Sequence, residues 1–189
     1  IIGNPFPKHL LGVSMNFEYG IFNLSMFWQG TFGNDIFNAT KYYLYNNNGG
    51  FNWSADYVND HYVRREIVAR DEDDNVIATF PENTGAKYPR LDPYGRNNNF
   101  GRVSSFYIED GSYLRLKNIQ LGVSLPQTWL NKVRLGEFRI YVAAVNLLTF
   151  TKYSGMDPEI YQEDPLTAGI DKASYPHPRS FIIGTRIKL

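Results

Sequence analysis

The sequence contains no cysteine. Disulfide staples, thiolate nucleophiles and cysteine-ligated metals are therefore excluded, and no compartment is selected. It carries no net charge, because 19 Lys and Arg balance 19 Asp and Glu. A general affinity for nucleic acid is not expected from that balance. No apolar run reaches the roughly 18 residues that would nominate a membrane-crossing helix. The three histidines, His9, His61 and His177, lie far apart and show no metal-ligand spacing. No Ser/His/Asp arrangement has local support. Asp157 and Glu159 of "DPE" read as turn and N-cap residues, so nothing nominates the two positioned carboxylates of a glycosidase. The chain is not expected to be an enzyme and implies no cofactor. It begins at Ile1 rather than Met, which reads as a fragment or a processed product.

Aromatic residues are abundant: 16% of the 189 residues, with 14 Tyr and 13 Phe. Membrane-barrel girdles and glycan-binding surfaces both use such residues. The mean hydropathy of −0.38 looks soluble. A β-barrel has the same look, because each strand alternates its apolar band with polar residues.

Period-two alternation is the main signal along the chain. In residues 9–18, Leu11, Val13, Met15 and Phe17 fall on one face, and Gly12, Ser14, Asn16 and Glu18 on the other. A tight reversal at Tyr19-Gly20 leads into 21–32, where Phe22, Leu24, Met26 and Trp28 alternate with polar positions and Phe27 breaks the pattern. Residues 112–125 alternate through Ile119, Leu121, Val123 and Leu125, with a phase slip near Leu116 to Asn118 that predicts a bulge. Pro126 and Gly136 bracket a helical turn at most. Residues 137–148 form a fourth strand with Phe138, Ile140, Val142 and Ala144 on its apolar face. The last strand, 179–189, alternates through Phe181, Ile183, Ile187 and Leu189, with Ile182 as the exception on the polar side.

The connections sort by length. Those at 19–20 and 126–136 are short, and those at 33–111 and 149–178 are long. Up-and-down alternation puts both short turns and the last residue at one end and both long loops at the other. A membrane barrel has that asymmetry; a soluble sandwich has no reason to sort its loops. Both remain open on pattern alone. Within the first long loop, residues 65–80 read as a small hairpin with an acidic tip.

Four ordered segments carry a family resemblance. They are "MFWQGTFGNDIFN" (26–38), "DGSYLRLKNIQLGVSLP" (110–126), "RIYVAAVNLLTFTKYSGMDPEI" (139–160) and "YPHPRSFIIGTRIKL" (175–189). Together they resemble the end of SusC/RagA-family TonB-dependent outer-membrane transporters. The resemblance covers most of the chain except about 40–100. It implies an all-β fold: an antiparallel transmembrane β-barrel segment, about the last five strands of a barrel of roughly 22 strands, with long external loops. Residues 1–189 would form the C-terminal portion of that barrel, with 33–111 and 149–178 external. The plug domain and the segment that contacts TonB would lie outside the residues given. The resemblance implies import of oligosaccharides or other oligomeric nutrients such as peptides. It also implies a SusD-like surface lipoprotein as partner, outer-membrane lipid around the barrel and a Gram-negative outer-membrane location. The alternative is a soluble or secreted β-sandwich that binds glycans.

Four sets of residues stand out. Tyr42, Tyr43, Tyr45, Trp53 and Tyr57 crowd the first long loop; they suit substrate or partner contact, or a loop packed on itself. Arg139, Tyr141, Arg186 and Lys188 fall on the polar side of their strands, where a lumen or the plug would meet them. Arg115 and Lys117, near the bulge, could meet either substrate or plug. Asp71, Asp73, Asn75 and Glu82 have the spacing of a calcium loop. Val76 stands where such a loop needs Gly, so a solvated hairpin tip is the competing reading.

Overall fold

The computed structural model describes residues 2–46, 52–64, 66–80, 82–91, 101–160 and 165–189. Asn47 to Phe51 of the aromatic loop and the "RNNNF" stretch at 96–100 lie outside them. The chain divides into two compact units, Ile1–Phe37 with Ile108–Leu189, and Asn38–Tyr107.

The first unit is organised by one antiparallel sheet. Its strands are β1 (His9–Tyr19), β2 (Phe22–Phe32), β7 (Tyr113–Ser124), β8 (Glu137–Thr151) and β10 (Ser180–Lys188), adjacent in that order. Register explains the alternation. Met15, Met26, Ile119, Ala144 and Phe181 form one cross-strand row; Phe17, Leu24, Leu121, Val142 and Ile183 form the next. Directly opposed side chains share a face, so these rows build one continuous apolar face. The intervening rows carry Ser25, Gln120 and Asn23 on the other face. The apolar face is uncovered: Phe181 is 74% exposed and Ile183 81%. A soluble sandwich would have to bury this face under a second sheet.

The strands at 9–18, 21–32, 112–125 and 179–189 form as their alternation predicts, within a residue or two. The expected bulge is present. Phe27 opposes Asn118 and Trp28 opposes Leu116, leaving Lys117 as the extra residue. A second irregularity follows in β8, where Asn146 adopts a left-handed backbone. Past the bulge Leu116 pairs with Trp28 and Leu148, and the Trp28 ring stacks on Phe150.

Two boundaries differ from expectation. β8 continues to Thr151 because Leu148 to Thr151 pair with Tyr113 to Leu116. The short connection holds a seven-residue helix, not a single turn. Its buried Leu130 anchors it, and Arg134 closes it in the left-handed region at φ 54°.

The connections sort by end. Gly20, at φ 60°, turns β1 into β2. The Ser124 N–H donates to the Ile21 carbonyl at 2.9 Å and the Gly136 N–H to the Lys188 carbonyl at 2.7 Å. Both short connections and the end of β10 therefore share one end of the sheet. Two long excursions leave from the other. A small sheet closes the base of the first: β3 (Asp35–Asn38) between β6 (Ile108–Asp110) and β9 (Ile170–Asp171).

The second unit was expected as loop and has a core of its own. It holds α1 (Ala39–Tyr45), α2 (Ala55–Asn59) and the hairpin of β4 (Glu66–Arg70) and β5 (Val76–Phe80), which matches the expected hairpin. The Asn38 side chain caps α1 by accepting from the Lys41 N–H at 2.9 Å. The helix of the short connection completes the set as α3 (Gln127–Val133).

Candidate functional site

A dense polar constellation sits on the polar face beside the bulge. Arg115 on β7 projects from the row it shares with Gln29 and Thr149. Its side chain is only 3% exposed, and each guanidinium nitrogen donates a hydrogen bond. Nε donates to Thr149 Oγ1 at 2.9 Å, Nη1 to Glu159 Oε2 at 2.8 Å, and Nη2 to Asp157 Oδ1. Lys117, the bulged residue, donates to both Glu159 oxygens, at 2.8 and 2.6 Å. Two cations on the wall thus hold two carboxylates of the second long connection.

Asp157 is the hub. Beyond Arg115 it accepts from the Glu159 N–H at 2.9 Å and from the His177 N–H at 2.9 Å. The His177 ring Nδ1 lies 3.0 Å from Asp157 Oδ2. Burial works to raise the Asp157 carboxyl. Arg115, the two backbone donors and His177 overcome it and hold the group below its ordinary value. Asp157, Glu159 and His177 offer ligand atoms within 4.8 Å of one another. With Arg115 and Lys117 inserted among the carboxylates, the arrangement is an ion-pair latch and not a metal cage. Deeper in the same connection the buried Tyr153 hydroxyl donates to Asp171 Oδ2 at 2.6 Å; burial, then that hydrogen bond, pushes the phenol up. The expected turn role of Asp157 and Glu159 is therefore incomplete: they also carry the charge that pins this connection.

Toward the short-connection end, the polar face carries the residues expected there. Arg139 is the register partner of Arg186, and Tyr141 of Gly184. A side chain at 184 would run into the Tyr141 ring, so glycine lets that ring lie flat across β10. Arg139 Nη2 donates to Asn23 Oδ1. Lys188 opposes Glu137. The structure thus brings Arg139, Tyr141 and Arg186 together around one cavity with Gln120.

The aromatic set divides. Tyr57, Tyr88, Tyr107 and Tyr45 are buried, between 0% and 7% exposed. The Tyr45 and Tyr88 hydroxyls both reach Asp56 Oδ2, at 2.5 and 2.6 Å. Hydrogen bonds from Ser54, Tyr45 and Tyr88 hold the Asp56 carboxyl well below the usual range. Tyr45 and Tyr57 are therefore packing residues of this unit. Tyr42 and Trp53 are half-buried and Tyr43 is exposed.

The four candidate calcium residues do not converge. Asp71 Oδ1 accepts from the backbone N–H groups of Asp73 and Asn75 at 3.0 and 2.8 Å, closing the hairpin tip. Glu82 accepts instead from the Tyr62 hydroxyl. The structure favours the solvated tip.

A five-stranded antiparallel sheet with an exposed apolar face, a polar opposite face and connections sorted by end fits a segment of an outer-membrane barrel wall. Sequence and structure comparison agree. The chain is homologous along its full length to a segment of SusC/RagA-family TonB-dependent receptors. It is 37% identical over 194 residues to TonB-dependent receptor P3 of Formosa agariphila and 30% identical over 190 residues to receptor P39 of that organism. It spans about 17% of the length of each. TonB-dependent receptor SusC of Bacteroides thetaiotaomicron is 32% identical over 87 residues, 46% of this chain and 8% of SusC. Among solved structures, a chain of the RagAB peptide transporter matches with a TM-score of 0.72 and 25% identity, over 98% of this chain and 17% of that one. No family model matches the chain. TonB-dependent receptors are multistranded barrels of the Gram-negative outer membrane, and they transport and do not catalyse.

Proposed function

We propose that residues 1–189 are the C-terminal wall of a large TonB-dependent barrel that imports oligomeric nutrients across the outer membrane. The carrying observation is the uncovered apolar face, continuous across all five strands and backed by a polar face. Lipid covers such a face at no cost, whereas water does not. On this reading 33–111 and 149–178 are external, and the short-connection end is periplasmic. β10 closes the barrel against a first strand outside this chain, which removes both open edges.

A SusD-like surface lipoprotein is the partner on the external side, and TonB supplies energy through a part of the protein outside this chain. Oligosaccharides are the favoured cargo, with Tyr42, Tyr43 and Trp53 as aromatic contacts. Peptides are the second reading, because the RagAB structures are those of a peptide transporter. Heat-modifiable migration of the full-length protein from outer-membrane extracts tests the barrel. Its absence from that fraction overturns the reading. Growth of a deletion strain on defined oligosaccharides or on peptides as sole source then separates the cargoes.

A further inference from the structure

The helix of the short connection, α3, has two unlike flanks. Gln127 and Asn131, four residues apart, are joined by a side-chain hydrogen bond of 2.9 Å. Trp129 and Lys132, three residues apart, are neighbours on the other side of the helix at 3.6 residues per turn. Leu130, between the flanks, is buried, but Trp129 is 61% exposed. The connection 126–136 also carries Arg134 and holds no Asp or Glu. Among the described residues neither Lys132 nor Arg134 has a carboxylate within ion-pair reach. Arg134 stands at φ 54°, a backbone that glycine adopts at lower cost, so its charge comes with a conformational penalty. The apolar face of the sheet runs up to this connection. The Leu125 N–H donates to the Phe138 carbonyl at 3.0 Å, and Phe138 is the partner of Ile187. At the same end Tyr19, 86% exposed, opposes Phe22.

We infer that α3 docks on the phospholipid leaflet at the short-connection end and prefers anionic lipid there. The Trp129 ring sits at the boundary of headgroups and acyl chains, with its N–H left at the polar level. Lys132 and Arg134 take lipid phosphates. Two observations commit the surface to lipid. It continues the apolar face of the sheet, and its two cations complement phosphate. A protein partner is disfavoured, because one exposed ring on a seven-residue helix offers far less than the roughly 800 Å² per partner of a standing interface. The inference rests on the barrel reading above, which puts that end at the periplasmic leaflet.

The test uses the full-length receptor with the photo-crosslinking side chain p-benzoylphenylalanine at Trp129 and, separately, at Gln127 and Val142. In outer membranes the expected product at Trp129 is a phospholipid adduct, read by mass spectrometry of the cross-linked peptide, with little at Gln127. In vesicles of equal parts phosphatidylethanolamine and phosphatidylglycerol, the phosphatidylglycerol adduct should be in excess. Lys132→Gln together with Arg134→Gln should cut that excess by at least about fivefold, the weight of one basic residue near an anionic surface. Four outcomes overturn the inference: a cross-link from Trp129 to polypeptide, no adduct there, an equal lipid adduct at Gln127, or an excess that the double variant leaves unchanged. The Val142 probe keeps the two readings apart. Lipid at Val142 without lipid at Trp129 sinks the docking of α3 alone. No lipid at Val142 sinks the barrel reading and the docking with it.

Discussion

Arg115 and Asp157 are each other's charge partner, 42 residues apart in sequence and both almost wholly withdrawn from solvent. One stands on the wall and the other in the second long connection, so their pairing fixes where that connection leaves the wall. Removing one member of a buried pair leaves the other charge uncompensated, at a cost of about 3–5 kcal/mol. Asp157→Asn should therefore loosen residues 152–179 while the strands stay paired. Hydrogen exchange on the full-length protein should show faster exchange there and little change in β7 and β8. Uniform destabilisation of the sheet would count against a local latch.

Acid should open the same latch. The Asp157 carboxyl is held below its ordinary value of 3.8, so its contribution is present above that value. It is lost as pH falls through the depressed folded-state value. Protease sensitivity of residues 152–179 should be flat from pH 7 down to about 4 and rise only below that. A rise centred near neutral pH would exclude Asp157 as the controlling group.

The strands were legible because one face of each is apolar and period two is unambiguous over ten residues. The bulge was legible for the same reason, as a slip in that period at Lys117. The latch was not. Its two cations lie on one strand and its two carboxylates in a distant loop, and pattern reading has no range at that separation. Its trace in the sequence was two cations on a polar strand face beside a bulge and two carboxylates in "DPE". The helices of the second unit were missed because "ATKYYLY" has no apolar period. The Asn38 cap and buried tyrosines build α1 instead.

That burial divides the aromatic residues by consequence. Tyr57 is 1% exposed, and Tyr57→Ala should cost about 3–5 kcal/mol of local stability in residues 38–107. Tyr43 is 46% exposed, so Tyr43→Ala should stay within about 0.5 kcal/mol. If the exposed aromatics contact cargo, Tyr43→Ala and Trp53→Ala should slow uptake with the unit still folded. Limited proteolysis and uptake, measured on the same membranes, separate the two effects. Normal uptake by both variants would leave the aromatic set with packing alone.

The sharpest test of the wall uses neighbouring residues. Val142 sits in the apolar row between Leu121 and Ile183, and Ala143 in the polar row between Gln120 and Ile182. An arginine at the lipid face near mid-height costs about 2–4 kcal/mol, whereas on the lumen side it stays hydrated. Val142→Arg should lower the barrel's urea midpoint in full-length protein and reduce its outer-membrane abundance. Ala143→Arg, one residue away, should do little of either. If this face met water, Val142→Arg would be tolerated as well as Ala143→Arg, because Val142 is exposed on the uncovered sheet. Equal tolerance at both positions would mean that neither face is buried in lipid.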